Sequence, residues 1–512
     1  MITAIRSGWL CLALWCVAVA TVDINALVPD QKSAVATPKR EFRGSWIQCV
    51  NGQFQGMSRD VMQATLTKHL NALQHCNVNA VFFQVRAEAD ALYQSQLEPW
   101  SRFLSGQQGV APLPYWDPLQ WMIDECHKRG MELHAWINPY RAKSKTAYAL
   151  AANHICNQHP ERAFEYDGLM VLHPSLQENR DYICTIVEDI LKRYDVDGLH
   201  IDDYFYPYPV PGVSIPDDAQ YRANAQGFNN KGDWRRHQVD LLIEQLNETI
   251  HRVKPWVKFG VSPFGIYRNQ KNDPRGSKTN GLQNYDDLYA DILLWIDKGW
   301  VDYTVPQLYW EMGHRSADYT ELIRWWSDHA SARPLFIGED VERTVKHSDP
   351  QNTKSHQLPA KMRLHQENKG VQGTVLWYAK AAVDNIGNYG SNLRNVYWRY
   401  PALQPLMSHI DDKAPDKIRK LKVINMGGQQ VLMWTAPKFK TWKDEATKYV
   451  VYCFKRGESL DTDDPSRIVA ITTDTYYELP ASLEKGKYVY LVTALDRMQN
   501  ESKMVKKKVK IN

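Results

Sequence analysis

Residues 196–207 read VDGLHIDDYFYP, and what this stretch does with its two carboxylates decides the fold. Val196, Leu199 and Ile201 predict a buried strand, along which successive side chains point to opposite faces. With Leu199 and Ile201 packed outward under helices, Gly198, His200 and Asp202 share the inner face, and Asp203 falls where strand gives way to loop. Acids at the carboxyl end of a strand stand where parallel sheets and barrels keep their active sites. The competing reading is that Asp202 and Asp203 cap the next segment or join a salt bridge. Tyr204, Phe205, Tyr206 and Tyr208 favour the functional one, because they supply a ring-stacking wall beside the acids.

Outward from this stretch, short apolar runs alternate with longer amphipathic ones. Strands are predicted over 42–50, 79–86, 131–138, the stretch itself, 257–263, 301–309, 334–338 and 371–378. Helices are predicted over 58–76, 117–130, 177–194, 233–253, 285–299, 319–330 and 359–368, with a last one over 389–398. Eight strand-helix units in sequence predict an α/β fold, a closed (β/α)8 TIM barrel over 40–405. A doubly wound sheet lacks its Gly-rich phosphate loop here. After a charged, proline-bearing junction at 406–415, residues 416–512 read as short strands at close spacing, a small all-β immunoglobulin-like sandwich. The basic run 506–508 fits an edge strand protected by charge.

At the N-terminus, Arg6 precedes an apolar run over 8–20 that closes on Ala18-Val19-Ala20, which reads as a signal peptide over 1–20 followed by a linker over 21–39. Export to the periplasm, envelope or exterior is expected. Cys16 raises lipoprotein anchoring as the minor alternative, against which bulky Trp15 counts. No other segment reads as a membrane span. The net charge of +4 comes from intermixed signs, without the basic stripe that nucleic acid demands. Cys49, Cys76, Cys126, Cys156, Cys184 and Cys453 are scattered, so buried free thiols are expected rather than a disulfide framework. His154, Cys156 and His159 read as a polar loop rather than a metal site, and no metal or cofactor is called for.

Six motifs carry a family resemblance: FRGSWI (42–47), VFFQVRAEADALY (81–93), HAWINPYR (134–141), DGLHIDDYFYP (197–207), VSPFGIYR (261–268) and VPQLYW (305–310). Together they resemble the glycosyl hydrolase-like 10 family. The tail, with Trp434 early and YLVTALDRMQNES near its end, resembles a fibronectin type III module. The family's arginine-proline-x-glycine pattern after strand two reads Arg86-Ala87-Glu88-Ala89 here, a departure that reshapes one wall. The resemblance implies an exported enzyme cleaving glycosidic bonds, with relatives acting on peptidoglycan glycan strands. A distantly similar group cleaves partly deacetylated poly-N-acetylglucosamine with adjacent acids after strand four.

Glycoside hydrolysis needs one carboxyl protonated and another ionised, and two acids close together push their pKa values apart. Asp202 and Asp203 are the candidate pair. Adjacent residues on a strand diverge, so a second acid from another strand is sought in Asp90, Glu311 or Glu339, unless a substrate N-acetyl carbonyl serves as nucleophile. For substrate binding the candidates are Arg43, Trp46, Gln84 and Arg86 from strands one and two, Asn138, Tyr140 and Arg141 from strand three, and His200, Tyr204 and Tyr206 from strand four. Gln307, Tyr309 and Trp310 from strand six and Trp377 from strand eight complete them. For Arg43, Gln84 and Arg86 an internal salt-bridge network is the equal alternative. The expected partner is an amino-sugar polysaccharide. A non-catalytic glycan-binding envelope protein and a hydrolase of plant or host polysaccharide are the competing readings, with the sandwich as spacer or docking module.

Overall fold

The computed structural model describes residues 37–145 and 147–511; the expected signal segment, the Cys16 alternative and most of the first linker lie outside them. Eight parallel strands close into a barrel in chain order: β1 (Phe42–Ile47), β2 (Ala80–Arg86), β3 (Glu132–Ile137), β4 (Gly198–Ile201), β5 (Lys258–Val261), β6 (Tyr303–Thr304), β7 (Leu335–Asp340) and β8 (Val371–Trp377), with β8 returning to β1. The strands number eight, as the alternation of runs predicts. Their long helices are α1 (Arg59–His75), α2 (Pro118–Lys128), α3 (Gln177–Arg193), α4 (Lys231–Val253), α5 (Ile292–Lys298), α6 (Tyr319–His329) and α7 (Leu358–Glu367). Ser58, Asp117 and Asp318 cap α1, α2 and α6 by accepting backbone N–H groups of the first turn.

Strand alternation sorts the core into two layers. Leu133, Leu199, Ile201, Phe259 and Ile337 face outward beneath the helices, each at 0% exposure. Phe42, Trp46, Phe82, Trp136, Tyr303 and Phe336 face inward and fill the barrel. Burying each such side chain stabilises by about 1.5–3 kcal/mol. Two glycines are dictated by this filling: a Cβ at Gly198 would lie 2.3 Å from His134 Nδ1, and one at Gly260 would lie 1.9 Å from the Tyr303 ring.

Where the elements differ from expectation, local chemistry explains it. β6 pairs over two residues only, because Pro306 has no N–H to continue the ladder. The helix predicted over 285–299 is interrupted, with Tyr289 at φ 57° between a short turn at Asn284–Asp287 and α5. Between β3 and α3 the chain builds a three-stranded antiparallel sheet from Arg141–Lys143, Ala163–Tyr166 and Leu169–Leu172. Its tight turn is Asp167-Gly168, both with positive φ.

Beyond the barrel, β9 (Arg419–Met426), β10 (Gln429–Thr435) and β13 (Tyr476–Glu478) form one antiparallel sheet. β12 (Ile468–Thr472), β11 (Lys448–Lys455), β14 (Gly486–Leu495) and β15 (Val505–Ile511) form the other, ordered as named. Leu432, Trp434, Val451 and Tyr490 are among the core between them. This all-β domain seats against the amino-terminal end of the barrel, where Met407 and Met498 close the interior from below. The six cysteines among the described residues are free thiols. No helix of the described residues is long and apolar enough to cross a membrane.

Candidate active site

Asp202 and Asp203 follow directly on β4, at 4% and 3% exposure. The strand has ended before them, so the divergence expected of neighbours on a strand does not separate them. Trp136 Nε1, from the adjacent β3, donates to Asp202 Oδ2 at 3.2 Å. The Tyr208 hydroxyl donates to Asp203, and the Gln307 side chain, from beyond β6, also bonds to it. Burial and then the neighbouring Asp203 push the Asp202 carboxyl up to about 8, against Arg141. Burial raises Asp203 too, but Tyr208, backbone N–H, Arg141 and Gln307 hold it back. Both carboxyls of the pair are thus raised, which favours a proton held between them at neutral pH. Among the described residues neither acid forms an ion pair; the Arg141 guanidinium lies 3.5 Å over the Tyr204 ring instead.

Half-buried rings surround the pair. Tyr204, Tyr208, Phe264 and Trp310 run in a chain at 5.3–6.1 Å centroid spacings across the loops after β4, β5 and β6, tilted at the first contact and edge to face at the other two. On the other side Tyr309 stacks on Trp377 at 5.9 Å, and Trp46 and Trp136 meet Trp377 edge-on. Gln307 also donates to the Ser262 carbonyl at 2.8 Å. His200 lies deeper, inside the barrel below the acids, bonded to Trp46, Ser262 and Tyr303.

Several sequence candidates lie elsewhere. Arg43 points outward, since Phe42 and Trp46 take the inner face of β1; it pairs with Glu41 at 2.7 Å and donates to the Tyr400 carbonyl. Arg86 is fully buried in a bidentate clamp on Glu98 and also donates to the Asn138 and Pro139 carbonyls. Gln84 and Asn138 are spent on each other and on the Cys49 N–H and Ala87 carbonyl. Tyr140 and Tyr206, both at 0% exposure, pack into the outer core rather than the mouth. For Gln84, Arg86 and Asn138 the cause is shared: near the ends of β2 and β3 these polar side chains are consumed in tying the adjoining loops to the barrel.

The second acid also needs correction. Asp90 is buried in its own loop, accepting from Gln108 and the Glu88 N–H, and burial followed by Glu88 raises it to about 6. Glu339 faces the helix layer, caged by Lys361 at 2.9 Å, Tyr319 and His365. Alternation along β7 instead brings Phe336, Gly338 and Asp340 to the inner face. Asp340, partly exposed, caps the short helix Val341–Lys346 through the Arg343 N–H and lines a cavity of about 380 Å³ with Glu311, His314 and Arg343. Glu311 lies on the same cavity, 3.9 Å from Arg343 and 3.8 Å from His347. Sequence reasoning missed Asp340, although the alternation of LFIGED from Leu335 carried the signal.

A family profile described as glycosyl hydrolase-like 10 matches residues 41–354, which span all the strands from β1 to β7 and both acids. The chain belongs to the glycosyl hydrolase-like 10 family. It is 37% identical over 488 residues to glycosyl hydrolase YngK of Bacillus subtilis, covering 93% of this chain and 95% of that one. It is 41% identical over 290 residues to glycosyl hydrolase DigH of Escherichia coli K12, covering 54% of this chain and 65% of that one. Among solved structures, the endo-beta-1,4-mannanase from Thermotoga petrophila matches at 10% identity over 93% of this chain and 99% of that one, with a TM-score of 0.42. As a family member this chain is a glycoside hydrolase, and its substrate is a carbohydrate.

Proposed function

We propose that this glycosyl hydrolase-like 10 protein is exported and cleaves an amino-sugar polymer, with peptidoglycan glycan strands as the leading substrate, and that Asp202 is its general acid. The observation that carries the reading is the Asp202/Asp203 pair: buried, free of cationic clamps, both carboxyls raised by burial, and flanked by rings that fit pyranose faces. A carboxyl held protonated at neutrality can deliver its proton to the glycosidic oxygen as the bond breaks. Asp203, fixed by Tyr208 and Gln307, is placed to orient the reacting group, either an N-acetyl carbonyl or a water. Asp340, at the end of β7 three strands round the mouth, is the second carboxylate if the polymer does not supply its own nucleophile.

Export rests on the apolar run 8–20 and its Ala-Val-Ala close. The seven-stranded C-terminal domain is read as fibronectin type III-like. Product analysis by mass spectrometry on peptide-free peptidoglycan strands, chitin oligosaccharides and a neutral β-glucan tests the substrate. Cleavage confined to the amino-sugar polymers supports the reading, and cleavage of the neutral glycan alone refutes it.

A further inference from the structure

A column of hydrogen bonds runs up the barrel axis, and its two ends independently dictate the same direction. At the foot, Glu132 is held ionised: against the cost of burial, Lys258, at 2.7 and 2.8 Å from its two oxygens, and His134 keep it down near 2. A carboxylate only accepts, so His134 Nε2, 3.1 Å away, must donate. Burial depresses both His134 and His200, so each is neutral with one N–H. His134 Nδ1 therefore accepts from the Tyr303 hydroxyl at 2.8 Å, and the Tyr303 oxygen must accept from His200 Nδ1–H at 3.2 Å. That leaves His200 Nε2 as an acceptor.

At the top, indole Nε1 of Trp46 lies 3.4 Å from His200 Nε2, and an indole only donates. Ser262 Oγ, at 2.9 Å, donates to the same nitrogen. Both ends thus fix His200 as the Nδ1–H tautomer. The foot of the column belongs to the C-terminal domain: Gln499 Nε2 donates to Glu132 Oε1 at 3.1 Å. Gln499 is 3% exposed and held at φ 67°, a conformation that side-chain-bearing residues seldom adopt, beside Met498 in the barrel floor.

We propose that this column is a positioning device for hydrolysis, with Tyr303 at its middle and Gln499 of the C-terminal domain at its foot as positioning residues. His200 precedes Asp202 by two residues on β4, and Ser262 joins the column through its hydroxyl while its carbonyl holds Gln307, which bonds to Asp203. A single tautomer of His200 therefore sets the geometry beneath both acids. The C-terminal domain is on this account the floor of the catalytic barrel. The inference rests on the assignment of chemistry to Asp202 and Asp203.

The test is nitrogen-15 histidine NMR on the full chain, with His200→Gln assigning the signal, together with kinetics of Tyr303→Phe and Gln499→Met. The wild-type protein should show His200 as the Nδ1–H tautomer without titration from about pH 5 to about pH 9. Tyr303→Phe, which leaves Nδ1–H without its acceptor while Trp46 and Ser262 still hold the tautomer, should lower kcat by roughly 10-fold, and Gln499→Met by roughly 3-fold, with KM within about twofold and near-UV circular dichroism retained. An Nε2–H or titrating His200, or variants that lose thermal stability while keeping wild-type kcat, would overturn the proposal. Full activity of Asp202→Asn would remove the assignment of the acids, while the tautomer signal would still judge the column itself.

Discussion

Asp340 is the register partner of Trp377 across the parallel β7–β8 pair, and Trp377 stacks on Tyr309. Burial, then Asp203, then Asp340 raise the Tyr309 hydroxyl, so carboxyls from β4 and β7 act on one ring from two directions. Asp340→Asn keeps a good helix cap while removing the charge. On a polymer that does not supply its own nucleophile it should lower kcat by roughly 100-fold, and it should change stability by less than about 0.5 kcal/mol. The neighbouring Glu339→Gln should do the opposite, costing about 3 kcal/mol by leaving Lys361 buried and unpaired while sparing the chemistry. Steady-state kinetics and urea unfolding on the two variants separate the inner from the outer face of one strand.

The pH profile follows from the shared proton. Asp202 must be protonated to act, and its carboxyl is pushed up to about 8 by burial and Asp203. Activity should hold through neutrality and fall as pH rises through that value. Arg141 lowers both acids, so Arg141→Met should move the alkaline limb to higher pH. A limb that stays in place would separate the profile from this pair.

The same raised carboxyl sets a stability trend. Its folded pKa exceeds the unfolded value, so its contribution is full below the ordinary carboxylate range, near pH 4, and is lost as pH rises through about 8. Asp202→Asn, which resembles the protonated form, should match wild type at pH 4 and exceed it by on the order of 2 kcal/mol at pH 9. Thermal melts at the two pH values would show the crossover.

Arg86 illustrates a structural price at a family motif position. Arg86→Met leaves Glu98 buried with Tyr182 as its side-chain neighbour, and should destabilise by about 3–5 kcal/mol. Adding Glu98→Leu should recover most of that loss in denaturant titrations, since it removes the stranded charge.

The barrel was legible because its strands are short apolar runs separated by capped helices, and the β4 reading followed from Leu199 and Ile201 alternating with His200. Residues whose roles depend on a distant partner were not legible. Nothing local in the sequence tells that Glu98, twelve residues on, would consume Arg86, or that the distant Tyr400 carbonyl would accept from Arg43. That Asp340 rather than Glu339 shares the inner face of β7 is an alternation readable from Phe336. The antiparallel excursion after β3 was signalled by Asp167-Gly168 between apolar residues. That the C-terminal domain reaches into the barrel floor through Met498 and Gln499 depends on contacts spanning hundreds of residues.

The account turns on Asp202 as the proton donor. The most direct measurement is the release of reducing ends from purified peptide-free glycan strands by wild type and by Asp202→Asn, with thermal melts confirming that both are folded. The predicted result is a loss of roughly 1,000-fold in kcat with the fold retained. Release at the wild-type rate by a folded Asp202→Asn protein would contradict the central claim.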